Sequence, residues 1–209
     1  MIRLAIGAFI VSLVMFYMAQ KEWTLAAGAS DQPEEMTLAA LIQRGPEGNP
    51  HVTISDFDSA GEFVYAQKRG TWTKVWIPIA PLIKLELPPE GKLPKLPAKP
   101  TAVQALIYST RVNNEKEADK VALQEKIQGM VINLIESLGY KEKELLQQSY
   151  PGTDFNRCII FELDRKPGGS TAIIYVGIAV AAIVVGVVVL FVRFRSSSSG
   201  PQNEPGLGS

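Results

Sequence analysis

One cysteine and one histidine in 209 residues leave little room for metal chemistry. A lone cysteine cannot form an intramolecular disulfide or a thiolate cluster, and a lone histidine cannot supply a multi-histidine site. Charge of one sign is missing as well, since 21 Lys and Arg stand against 21 Asp and Glu. Without the basic excess of a nucleic-acid binder, no nucleic-acid partner is expected. The sequence also lacks a phosphate-binding glycine loop, a Gly-x-Ser-x-Gly elbow and a His-Glu-x-x-His helix. It therefore assigns no catalytic residue, no cofactor and no metal, and it leans away from an enzyme.

Long apolar runs are plentiful. Thr171 to Val192 holds no charge and is rich in Val, Ile and Ala, with Arg193 and Arg195 directly after it. A helix of about 20 apolar residues spans the ~30 Å hydrocarbon core of a bilayer, so this run reads as a transmembrane helix. Leu4 to Ala19 is a second run, preceded by Arg3. It is slightly short for a span, and a snorkelling Arg3 makes up the difference. The competing reading is a signal peptide cleaved near Ala27-Gly28-Ala29. Against cleavage, Gln20-Lys21-Glu22-Trp23 is polar and bulky where small neutral residues belong.

The flanking arginines place both termini in the cytoplasm and residues 20–170 outside, by the positive-inside rule. This predicts a two-pass protein of the cell (inner) membrane. The charge balance divides accordingly: residues 20–170 carry 18 basic and 20 acidic side chains, leaving the surplus of cations on the inner flanks. Within the second span, Gly177 and Ala181 are four apart, as are Ala182 and Gly186, the small-xxx-small spacing that lets helix backbones approach. These four residues are candidates for helix packing, against the first span at Ala8 and Ser12, against a second copy or against another membrane protein.

The predicted organisation is an N-terminal anchor over 1–19, a juxtamembrane linker over 20–35, an α+β domain over 36–166, a transmembrane helix over 171–192 and a disordered cytoplasmic tail over 193–209. The fold class expected is a small extracytoplasmic α+β domain, about six strands, mostly antiparallel, packed on one long helix and flanked by the two spans. Thr37 to Arg44 reads as a short helix ending in the turn-rich Gly45-Pro46-Glu47-Gly48-Asn49-Pro50. His51–Phe57, Glu62–Gln67 and Trp72–Ile79 read as a three-stranded meander, and Leu82–Leu87 alternates like a further strand. Pro78 and Pro81 suggest a sheet edge or a break. The connection 88–100 is proline-rich, with the three-residue period of polyproline II at Pro94, Pro97 and Pro100. Ala102–Val112 and Cys158–Leu163 read as strands able to pair in parallel. Asn114 and Glu117 resemble a capping box opening a helix, whose apolar stripe of Leu123, Ile127, Met130, Val131, Leu134, Ile135 and Leu138 carries it to Gly139. A short helix follows over Lys141–Gln148.

Four groups of side chains invite a functional reading. Cys158 with His51, oriented by Asp56, would make a nucleophile–base pair, although Cys158 lies in an apolar run where cysteine behaves as a small hydrophobe. Asp56 and Asp58 would share a strand face and could bind a cation or divide acid and base roles. However, Asp58-Ser59-Ala60-Gly61 has the composition of a turn, and Asp154 stands in similar company. Trp72 and Trp76, four apart in one strand, would share a face and offer an interaction surface or a leaflet contact. Lys92, Lys95 and Lys99 could touch anionic headgroups. The reading these features favour is a non-catalytic accessory, assembly or interaction subunit of a membrane complex. Its partners would be the lipid bilayer and another membrane protein or itself. The alternatives are a membrane-tethered enzyme and an extracytoplasmic ligand sensor.

Overall fold

The computed structural model describes residues 2–82, 101–133, 136 and 138–197. The chain forms two compact units, Met1–Thr24 with Gly168–Ser209, and Leu25–Pro167.

The first unit is a pair of helices, α1 (Ile2–Gly28, whose last turn belongs to the second unit) and α5 (Ser170–Ser197). Both are long and apolar enough to cross a membrane. Along their apolar stretches the buried positions recur at a fixed interval, Ala5, Ser12 and Ala19 on α1 and Ala172, Ala179 and Gly186 on α5, with Glu22 also buried beyond the α1 series. Half-buried residues stand three places after the other five, at Ala8, Met15, Tyr175, Ala182 and Val189, whereas Glu22, three places after Ala19, is buried. A seven-residue repeat keeps one narrow seam facing a partner helix, and small side chains let the backbones close in. A Cβ placed on Gly186 would lie 3.5 Å from the Ala8 Cβ, while one on Gly169 would lie 3.7 Å from the Trp23 ring. These two contacts run the helices antiparallel. Of the four residues expected to pack, Gly186 lies in the seam and Ala182 on its flank, whereas Gly177 and Ala181 face outward. The seven-residue spacing, not the four-residue one, organises the pair.

The second unit is built on one sheet of eight strands: β1 (Glu34–Thr37), β2 (His51–Ser55), β3 (Phe57–Ser59), β4 (Val64–Lys68), β5 (Thr71–Pro81), β6 (Ala105–Ser109), β7 (Lys126–Val131) and β8 (Ile159–Leu163). The order is β1-β2-β7-β8-β6-β5-β3, with β4 also on β5. β1–β2 and β6–β8 pair in parallel, and the remaining pairs are antiparallel. Alternation along the strands divides the core. One face sends Val52, Ile54, Ile77, Ile107 and Phe161 against α2 (Leu38–Arg44) and α3 (Glu115–Ala122). The other sends Trp76, Leu106, Tyr108, Met130 and Ile160 against α4 (Tyr140–Ser149). The α+β class holds, with eight strands among the described residues where about six were expected.

The largest departure concerns the helix expected to run from Asn114 to Leu138. It opens as expected: Asn114 Oδ1 accepts from the Glu117 amide at 3.0 Å, and Glu117 Oε2 accepts from Asn113 at 3.0 Å. It stops at Ala122, and Lys126–Val131 continues as β7 in the middle of the sheet. Leu123, first of the supposed stripe, is 83% exposed. Gly129 explains the strand. A Cβ there would run into the Glu162 carbonyl and the Phe161 ring of β8, so glycine permits the close approach of two backbones. The same glycine weakens a helix by about 1 kcal/mol relative to alanine. Leu134 and Ile135 lie outside the described residues, as do 83–87 of the Leu82–Leu87 strand and the proline-rich connection 88–100.

The meander is also revised. β4 and β5 form the expected hairpin, but β2 pairs with β1 and β7, while β3, split from β2 at Asp56, pairs with the far end of β5. Pro78 sits inside β5 without breaking it. Its carbonyl accepts from the Ala60 amide at 2.9 Å, so its ring nitrogen points to the same side, between β3 and β4, where no ladder bond is required. The segment read as a linker from residue 20 is helical through Gly28 and enters β1 at Glu34.

Candidate functional site

Trp72 and Trp76 do not share a face. In the β4–β5 hairpin Ala66 pairs with Lys74 and Gln67 with Trp72, leaving Thr73 as an extra residue on β5. Such a bulge reverses the alternation on one side of it. Trp76 therefore lies in the core layer with Leu106 and Tyr108 at 1% exposure, while Trp72 packs half-buried on the opposite layer. Trp76 is thus unavailable as a surface residue.

Trp72 has different company. Its ring stacks on Tyr65 with centroids 4.0 Å apart and 12° between planes, and Phe63 leans on it at 5.7 Å. Tyr65 is 43% exposed. The hairpin turns at Arg69 and Gly70, both at positive φ (53° and 84°), as a two-residue loop matched to the strand twist requires. Lys68 and Arg69 are exposed at this tip. From Phe63 to Lys74 the sequence holds three cations and no carboxylate, whereas residues 25–167 carry 17 basic and 19 acidic side chains. The result is a hairpin with an amphipathic aromatic face and a basic tip. Along its outer edge a hollow of about 470 Å³ separates β4 from α4, lined by Glu62, Phe63, Tyr65, Leu145 and Gln148. Ser149 closes one end by donating to Glu62 Oε2 at 2.6 Å.

On the other layer Trp76 meets Tyr108 at 5.7 Å, and Lys74 Nζ lies 5.9 Å and 5.6 Å from the two ring centroids. Lys74 also pairs with Glu136 at 3.6 Å, and Arg165 with Glu162 at 2.6 Å. Burial, reinforced by Glu136 and Glu162, drives the Tyr108 hydroxyl far above its ordinary range. It remains a neutral phenol and cannot act as a base. Trp76 Nε1 is buried without a hydrogen-bond partner, an arrangement that costs about 1–3 kcal/mol.

The remaining candidates are structural. His51 is buried, with Nδ1 2.8 Å from the Ser30 carbonyl and Nε2 3.0 Å from Gln128 Nε2. A carbonyl only accepts, so Nδ1 carries the proton and Nε2 accepts from the Gln128 amide. Asn49 completes this clasp: its Oδ1 accepts from the Ser30 and His51 amides and its Nδ2 donates to the Gln32 carbonyl. Cys158 faces the Val103 carbonyl at 3.8 Å. Burial first, and then the Asp154 charge, pushes its thiol up to about 12, against a smaller lowering by a backbone hydrogen bond. The two therefore do not form a nucleophile–base pair. Asp56 has φ of 53° and ends β2, so it does not alternate with Asp58 along one strand, and Asp58 accepts from the Ser59 amide at 2.8 Å. Asp154 accepts from Asn156 and pairs with Arg157. Among the described residues no three His, Cys, Asp or Glu side chains cluster as a metal site.

Comparison with protein-family models, curated proteins and solved structures gives no match to this chain. The turn residues of the hairpin were legible in the sequence. The bulge that separates the tryptophans was not, because it depends on which residue of β4 meets which of β5.

Proposed function

We propose that this chain is a two-span protein of the cell (inner) membrane with both termini cytoplasmic and residues 20–170 extracytoplasmic. In this reading it serves as a non-catalytic accessory, assembly or interaction subunit of a membrane complex. The observation that carries the reading is the helix pair. α1 and α5 meet through a narrow seam of Ala, Ser and Gly and leave broad apolar faces exposed, including Phe9, Leu13, Phe16, Ile174, Val184 and Val188. Faces of that extent need lipid or another membrane helix around them. The seam also favours an uncleaved α1, since removing residues 1–29 would strip Ala172, Ala179 and Gly186 of their partners.

The reading is tested by purifying the chain from its native membrane in mild detergent. Intact mass should show the N-terminus retained, and a specific membrane protein should co-purify in fixed ratio. A reporter that fluoresces only in the cytoplasm should be bright when fused after Ser209. Recovery of the chain alone, or loss of residues 1–29, overturns the proposal.

A further inference from the structure

We infer that the β4–β5 hairpin docks on anionic lipid headgroups, with Lys68 and Arg69 contacting phosphate and the Tyr65–Trp72–Phe63 cluster resting at the interface. Four observations converge on this surface. The tip is fixed in shape by its two-residue turn, so docking costs little ordering. Tyr65 and Trp72 are stacked, incompletely buried and amphipathic, the residues that settle at the headgroup level of bilayers. Lys68 and Arg69 are exposed and have no ion pair among the described residues, while Lys74, on the other layer, is held by Glu136. Finally, the hairpin is a cationic island on an otherwise acidic unit. An acidic protein surface would satisfy the cations equally well. The stacked aromatic face beside them favours a lipid surface, which offers negative charge above a greasy layer at one site. The bulge at Thr73 has a role here, since it moves Trp72 out of Trp76's layer and beside Tyr65.

The test uses the full chain in nanodiscs of phosphatidylcholine, alone or mixed with phosphatidylglycerol, with acyl chains brominated near the headgroup to quench nearby indoles. Trp23 is replaced by Phe, and this protein is compared with one also carrying Trp72→Phe. The difference between them reports Trp72, and the residual Trp76 signal serves as a fold control that leaves the core intact. Trp72 emission should be quenched in the anionic discs and little affected in neutral ones, with Trp76 unquenched in both. One basic residue at an anionic surface is worth about fivefold in occupancy. Lys68→Glu with Arg69→Asn, which tolerates the positive φ, should therefore lower the docked-to-free ratio more than twentyfold and abolish the quenching. Unquenched Trp72 in anionic discs, equal quenching in neutral discs, or quenching that survives the double substitution overturns the inference. It rests only on the bilayer-embedded part of the function proposed above. Failure to enter nanodiscs would sink that part, whereas entry without quenching sinks the docking alone.

Discussion

Cys158 shows how burial decides a side chain's chemistry. A thiol held near 12 is un-ionised at neutral pH, and thiolate is the reactive form. Maleimide should label Cys158 only after denaturation, and native labelling at the rate of a free thiol would refute this. The same raised value predicts a stability change in alkali. Because the folded thiol titrates above the ordinary ~8.5, its contribution is complete below that pH and declines as pH rises toward 12. Tyr150, also pushed up to about 12 by burial and then by Glu62, joins only above its usual ~10. Between ~8.5 and ~10, unfolding free energy should fall by up to about 1.4 kcal/mol per pH unit in the native chain and stay flatter in Cys158→Ala. Parallel pH profiles for the two proteins would exclude the assignment. At this scale the sequence was informative where a residue's own chemistry dominates: an apolar run around Cys158 and turn residues around Asp58 pointed to structural roles. It was silent on His51, whose partners Ser30 and Gln128 lie 21 and 77 positions away.

Among elements, α2 was legible at both ends, with Gly45 closing it, whereas α3 was legible at its start and not at its end. Caps at Thr37 and Asn114 are local, each a side-chain oxygen meeting an amide three residues on. The end of α3 is set instead by β8, which needs a neighbour on the side where Gly129 lets it approach. Gly129→Ala separates the two accounts by sign. In a helix it would stabilise by about 1 kcal/mol; in β7 it should destabilise by about 3 kcal/mol, because the added carbon meets a backbone carbonyl that cannot rotate away. Chemical denaturation decides. The helix pair gives a second element-level prediction. Counting inward from the contacts at Gly186 and Gly169, Ser12 and Ala179 are opposite steps of the seam. In a Cys158→Ala background, Ser12→Cys with Ala179→Cys should form an intramolecular disulfide under mild oxidation. Gly7→Cys with Gly177→Cys, which face outward, should not, and the reverse result would reject the register.

At the scale of the whole molecule, composition by segment located the two apolar helices, since 22 uncharged residues in a row have few structural uses. Sheet order was beyond it. β1 and β7 pair with β2 across intervals of 18 and roughly 75 residues, and nothing local to those strands encodes the match. The two ends of the sheet unit are also held unequally. The chain arriving from α1 joins the sheet through β1, four residues with a single neighbour, preceded by the Asn49–His51 clasp on Ser30 and Gln32. The chain leaving for α5 departs from β8, bonded along both edges by β6 and β7. Under tension the two connections would behave as a weak link and an anchor: a pull on the first helix would peel β1 and spring the clasp while β8 still held, so any mechanical yielding would begin at the N-terminal side.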